Sequence, residues 1–231
     1  MGCRYADRHG GTTSRGFNYG SDGAVMAILE DSYWPAGSIT SALTIGGTWS
    51  KAAQSITTGG DEDYDITSIG LCLKPTAAGC GTVHVELYAA DGDGFPTGAI
   101  LSSGTVAEDD INVQTIPAPP AETVIAMGSY TINKNTAYVI VMYPDEIGGG
   151  PPAHGISMCG VNSNAYGYGH PSVYVTASSS WLSKPTYEAA FKVYGNPVSE
   201  GDPPNKPTTP SPADGATGQR LNLASFSWSA G

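Results

Sequence analysis

The sequence predicts an all-β chain folded as an antiparallel sandwich, and three observations carry that expectation. Two runs alternate with period two: Ile69, Leu71 and Leu73 share one face, and Val83, Val85 and Leu87 share another. Strict alternation marks strands with one buried face. The 231 residues include 31 Gly and 17 Pro, with only 13% charged, a composition of many turns and few helices. Finally, roughly eight to ten short apolar or β-branched runs follow one another at close spacing, as in β-sandwiches.

The stretch from Thr48 to Val106 organises the rest. Between its two alternating runs lies Pro75-Thr76-Ala77-Ala78-Gly79, turn chemistry that predicts an antiparallel hairpin. Setting Cys72 opposite Cys80 places Leu71 against Gly81 and Ile69 against Val83, with the apolar residues on one side. A slip of one residue would divide them between faces. In that register Cys72 and Cys80 are either a cross-strand disulfide or a reduced facing pair on the outer side of the hairpin. Cys3 and Cys159 are left to pair or stay free. Four cysteines are too few for a disulfide scaffold, and none has the CxxC spacing of a zinc site.

The elements follow in chain order. Residues 1–47 hold an arm and the first short elements. Residues 1–24 are aperiodic and carry Arg4, Arg8 and Arg15, a local positive segment on an acidic protein. Such an arm is either a solvated tail or an assembly arm lying on an acidic copy of the same chain. Val25 to Glu30 reads as a short helix, with Asp22 as its cap and Pro35 after its end. Tyr33 and Trp34 are expected to cover an edge of the sandwich. Ile39 to Ile45 predicts a first strand, Gly46-Gly47 a turn, and Thr48 to Ile56 the next strand. Beyond the central hairpin come a loop from Ala90 to Gly98, a strand from Leu101 to Val106, and a loop through Glu108-Asp109-Asp110 and Pro117-Ala-Pro-Pro120. Val124 to Met127, Ala137 to Tyr143, Ile156 to Val161 and Ala189 to Tyr194 complete the strands.

The order of these features resembles a known family. Gln54-Ser-Ile56, an apolar strand and Gly81-Thr-Val83 lead to Asp91-Gly92-Asp93-Gly94-Phe95-Pro96-Thr97-Gly98 and Leu101-Ser-Ser-Gly104. Tyr138-Val-Ile-Val141 and the closing Phe191-Lys-Val-Tyr194-Gly195 follow. This resembles the jelly-roll, carbohydrate-binding-like β-sandwich modules of phage and environmental bacterial surface proteins. The resemblance covers roughly Ser50 to Gly195 and implies a jelly-roll sandwich over residues 48–195. It brings no catalytic motif, and such sandwiches serve many functions. Asn196 to Asn205 is a Pro-rich linker. Residues 206–231, with Phe226 to Ser229 as a Ser-Trp-Ser strand, resemble the start of an immunoglobulin-like or fibronectin-III-like domain. The expectation is a piece of a longer tandem protein; alternatively, 206–231 adds strands to another subunit.

Charge narrows the function classes. A formal charge of −11 without basic clusters argues against nucleic-acid partners and anionic membranes. No apolar run reaches the ~18 residues of a membrane span, so membrane insertion is not expected. The N-terminal MGCRYADRHGGTTSRGF lacks the apolar core of a secretory signal. Export then relies on a removed segment or on lysis, as for virion proteins. The start also falls short of a myristoylation signal, because Ala6 stands where Ser or Thr is needed.

Little chemistry is encoded locally. No Gly-x-Ser-x-Gly elbow surrounds a serine. His84, set between Val83 and Val85, should point outward. Structural calcium is the candidate ion, because Asp61, Asp63 and Asp65, and separately Asp91 and Asp93, offer hard oxygens at alternating positions. The same residues also make ordinary solvated turns. Tyr166, Tyr168, His170, Tyr174, Trp181 and Tyr187 form an aromatic-rich region beside Asn162 and Asn164. It reads as a carbohydrate face, as a protein-contact surface, or as core caps and loop residues. The functional expectation is a non-enzymatic structural or adhesion subunit of an extracellular virion or cell-surface appendage. Its partners would be copies of itself or other appendage proteins, with a glycan as a further candidate. The alternative is a carbohydrate-binding module of a larger secreted enzyme.

Overall fold

A computed structural model describes residues 28–59, 62–76, 79–148, 154–162, 169 and 171–198, with the backbone alone for 28–30. The chain divides into two compact units, Met1–Pro197 and Val198–Gly231. The arm residues Arg4, Arg8 and Arg15, and the immunoglobulin-like segment 206–231, lie outside the described residues.

The described part of the first unit is all-β. Its strands are β1 (Ile28–Tyr33), β2 (Ser41–Ile45), β3 (Trp49–Thr57), β4 (Tyr64–Leu71), β5 (Leu73–Pro75), β6 (Val83–Ala90), β7 (Pro96–Val106) and β8 (Thr123–Ala126). They continue with β9 (Thr131–Ile132), β10 (Ala137–Pro144), β11 (Ile156–Val161), β12 (Pro171–Val175), β13 (Ser180–Ser183), β14 (Glu188–Ala189) and β15 (Phe191–Pro197). One sheet runs β13-β12-β3-β10-β6-β7; a second runs β1-β15-β4-β8, with β9 on β4; a third runs β14-β11-β2, with β5 on β11. Every strand pairing is antiparallel.

The main core lies between the six-stranded sheet and the other two. Ala52, Ile56, Val83, Val85, Leu87, Ile140 and Met142 reach it from one side. Ile66, Ile69, Leu71, Ile125, Phe191 and Val193 reach it from the five-stranded sheet, and Leu43, Ile45, Leu73, Ile156 and Met158 from the four-stranded one. Alternation along each strand puts these residues on one face, as a two-layer sandwich requires.

Three expectations are corrected. Of the stretch read as a helix, Val25 to Glu30, residues 28–30 belong to strand β1, whose residues Ile28 to Tyr33 pair with Gly195 to Phe191, and residues 25–27 lie outside the described residues. A helix of so few residues has a costly nucleus and little to sustain it, whereas a strand there completes the hydrogen bonds of β15. The central hairpin also does not form. Leu71 pairs with Phe191 and Thr123, and Val83 pairs with Pro144 and Val106. The two alternating runs belong to different sheets and meet across the core; the segment between them passes from one layer to the other. Alternation specifies which face is buried, not which strand lies alongside. The Cys72–Cys80 disulfide falls with the hairpin. Cys72, Cys80 and Cys159 are free thiols. Cys80 lies in the main core, and its N–H donates to Glu108 Oε2 at 2.7 Å rather than to a strand.

Among the described residues the fifteen strands exceed the eight to ten expected, and two of the extra strands arise because single residues interrupt two long paths. Cys72 separates β4 from β5, and Ala190 separates β14 from β15. At Cys72 the chain steps from the five-stranded to the four-stranded sheet, and at Ala190 it steps back. The interrupted ladder is rejoined there: Cys72 N–H donates to Ala190 O (3.4 Å), Cys159 N–H to Cys72 O (2.8 Å), and Ala190 N–H to Cys159 O (3.1 Å). Strand β15 continues through Pro197, two residues into the segment read as linker; the rest of that segment beyond Val198 lies outside the described residues.

Candidate recognition face

The outward face of the six-stranded sheet carries the most concentrated chemistry among the described residues. Ala52, Val85, Met142 and Val173 point into the core, so their neighbours one step along each strand point away from it. Cross-strand pairing places Trp181, Tyr174 and Lys51 in one row, continued by Tyr143, His84 and Thr105. The next row is Ser183, Ser172, Ala53, Val141, Glu86 and Ser103.

These rows form a second, smaller apolar layer. Ala53, Val139 and Val141 are buried beneath Tyr88, Ala90, Tyr143 and Trp181. The aromatics themselves stay half-buried, covering the sheet with one ring face and offering the remainder outward. Tyr143 is held on three sides: its ring stacks on His84 with centroids 4.9 Å apart and planes 9° apart. Lys51 Nζ sits 4.2 Å from its ring centroid, a cation–π contact. Its hydroxyl donates to Glu86 Oε1 at 2.7 Å. Tyr88 donates to the other oxygen, Oε2, at 2.8 Å.

Glu86 is thus a buried carboxylate, 7% exposed, satisfied by two phenols. Burial, then the hydrogen bond to Glu86, push the Tyr143 phenol up to about 12; the same causes in the same order raise Tyr88. Both hydroxyls remain neutral donors at ordinary pH, locked in one orientation. Beside them, His84 Nε2 lies 2.7 Å from Asp145 Oδ1. Further along the row, Tyr174 and Trp181 meet edge to face at 5.3 Å and 68°. Ser172 Oγ is buried with no hydrogen-bond partner among the described residues. The arrangement supplies aromatic surface, fixed polar atoms and one ammonium on a rigid sheet. Such an arrangement can hold a ligand by ring stacking and hydrogen bonding.

The residues expected from sequence fall in different places. Tyr174 and Trp181 are brought together on this face. Tyr187 is not: it is 5% exposed in the main core, and its hydroxyl donates to the carbonyl of Met158. Its aromatic character belongs to packing, so it is withdrawn as a contact residue. Tyr166, Tyr168 and His170 lie outside the described residues. His84 points outward, as its place between two core valines required. Glu86, Tyr88, Lys51 and Tyr143 were missed. Their signal was present: His84, Glu86 and Tyr88 alternate with Val83, Val85 and Leu87, and β10 opposite them is apolar on both faces.

The acidic loops are engaged locally. Asp63 Oδ1 accepts the Lys134 N–H at 2.9 Å, and Asp65 Oδ1 accepts the Thr131 hydroxyl at 2.5 Å. Asp91 Oδ1 accepts the N–H groups of Asp93 and Phe95 at 2.9 and 2.8 Å, closing the turn between β6 and β7. Asp61 lies outside the described residues. Among the described residues no group of three or more His, Cys, Asp or Glu is placed to hold a metal ion, and calcium requires six to eight oxygens. No helix among them is long and apolar enough to cross a membrane.

No family model matches the chain, and no curated protein matches it. Among solved structures, it is similar to the clostridial cysteine protease Cwp84 after propeptide cleavage, with a TM-score of 0.45 and 13% identity. That alignment covers 68% of this chain and 38% of the protease chain.

Proposed function

We propose that the chain is a non-enzymatic adhesion subunit of an extracellular virion or cell-surface appendage, and that it holds a glycan on the outward face of its six-stranded sheet. The row Trp181, Tyr174, Lys51, Tyr143 and His84 carries this reading. Half-exposed aromatic rings offer flat apolar area to the C–H face of a sugar ring, with polar edges for its hydroxyls. Lys51 and the tyrosine oxygens provide the polar atoms. A surface fixed by five paired strands loses little freedom on binding, which favours affinity. The reading needs no nucleophile, and the one buried carboxylate of the face is already saturated by phenols. Assembly through the arm that bears Arg4, Arg8 and Arg15 belongs to the same proposal.

A glycan array followed by calorimetry on the strongest ligand tests it. Trp181→Ala should weaken binding by about tenfold or more, as loss of an aromatic anchor does, while the thermal midpoint stays near that of the parent. An array without a bound glycan, or an alanine variant with parental affinity, would remove the face as the binding site. Solution mass then separates the two settings: a defined oligomer fits the appendage subunit. A glycan-binding monomer fits instead a carbohydrate-binding module of a larger secreted enzyme.

A further inference from the structure

The register of β11 on β5 runs Ile156 opposite Pro75, Ser157 opposite Lys74 and Met158 opposite Leu73. One further step sets Cys159 opposite Cys72, and the Cys159 N–H donates to the Cys72 carbonyl at 2.8 Å. Directly opposed residues of antiparallel strands have Cα atoms about 4.5–5.5 Å apart, inside the roughly 4.4–6.8 Å that a disulfide spans. Both side chains lie on the same side of the ladder, in one small cluster with Ile39 and Ala190, and both are fully buried. Cys80 sits elsewhere, in the main core, with its thiol donating to Gly81 O at 3.6 Å.

We propose that Cys72 and Cys159 are a cross-strand disulfide site that closes when the chain folds in the presence of a small-molecule disulfide oxidant. The bond would join the two strands at the point where β4 leaves the five-stranded sheet for the four-stranded one. It would close a long loop, the case in which a cross-link restricts the unfolded chain most. The inference is independent of glycan binding.

The chemistry is a two-step exchange. One cysteine loses its proton and its thiolate attacks oxidised glutathione, forming a mixed disulfide and expelling one glutathione thiolate. The second cysteine, deprotonated in turn, attacks the protein sulfur of that mixed disulfide. The Cys72–Cys159 bond forms and the second glutathione leaves. The protein gives up two electrons and two protons, and one glutathione disulfide becomes two thiols. In the folded chain burial pushes both thiols up to about 12, which leaves little thiolate to react. Closure therefore belongs to folding, before the cluster is sealed.

The full chain, unfolded and reduced, is refolded with reduced and oxidised glutathione. Remaining thiols are then capped in denaturant and the digest is read by mass spectrometry. The expected result is a linked peptide joining Cys72 to Cys159, a capped Cys80, and a thermal midpoint above that of the reduced protein. In Cys159→Ala both the linked peptide and the oxidised-minus-reduced midpoint difference should vanish; Cys72→Ala serves equally if that variant folds poorly. Peptide mapping of the parent chain needs neither. Folded parent protein with both thiols capped, or with Cys72 joined only to glutathione, Cys3 or Cys80, would overturn the proposal.

Discussion

Replacing Phe191 by alanine is expected to cost about 3–5 kcal/mol of unfolding free energy, the range for emptying a fully buried phenyl site. Phe191 is 0% exposed and belongs to the main core. It stands in the middle of its sheet, paired on one side with Tyr33 and on the other with Leu71. Neighbouring strands on both flanks leave the backbone little freedom to collapse into the void, so the cost should fall in the upper half of the range. Phe191→Leu retains most of the volume and should cost much less, under about 1.5 kcal/mol. Denaturant unfolding monitored by tryptophan fluorescence gives both numbers. A cost below about 1 kcal/mol for the alanine variant would mean that Phe191 does not pack between these strands. The layer assignment of β15 would then be wrong.

The second large effect is a pH dependence located at Glu188. This residue is 0% exposed. Its Oε2 lies 3.5 Å from Gln54 Nε2, and its Oε1 has no hydrogen-bond partner among the described residues. Burial raises the carboxyl to about 7, with the Gln54 contact opposing only in part. The folded chain therefore keeps a proton that the unfolded chain releases near 4.5. Because the folded value is raised, the associated stability is complete below about 4.5 and is lost as pH climbs through about 7. Glu188→Gln, which carries no titrating proton, should match the parent near pH 4 to 5. Above pH 8 it should be more stable by roughly 3 kcal/mol, the equivalent of the shift. Paired unfolding curves across that range measure the difference directly, since other titrating groups are common to both chains. A difference that does not change with pH would show that Glu188 is hydrated in the folded state.

Much of the fold was legible in the residues. The alternation of Ile69 and Leu71, and of Val83, Val85 and Leu87, located β4 and β6 and named their buried faces correctly. The β-branched run at Ala137 to Tyr143 located β10, and Gly46-Gly47 marked the turn before β3. The same reading placed His84 outward. Of the candidate face it saw the Tyr174–Trp181 corner and overlooked Glu86, Tyr88, Lys51 and Tyr143, since no short motif connects residues drawn from five strands.

The errors share one origin. Side-chain alternation is a local property of period two, so residues i and i+2 suffice to reveal it. Which strand lies alongside is settled by the packing of the whole sandwich, often across more than a hundred positions. Cys72 thus meets Cys159 and not the nearby Cys80, Leu71 meets Phe191 and not Gly81, and Ile28 to Tyr33 becomes an edge strand because β15 is there to pair with it. The sequence alone determined an all-β chain with defined inward faces. The partners across each ladder, the burial of Tyr187, and the gathering of one aromatic and polar face were decided only by tertiary structure, because each depends on groups brought together by strands distant along the chain.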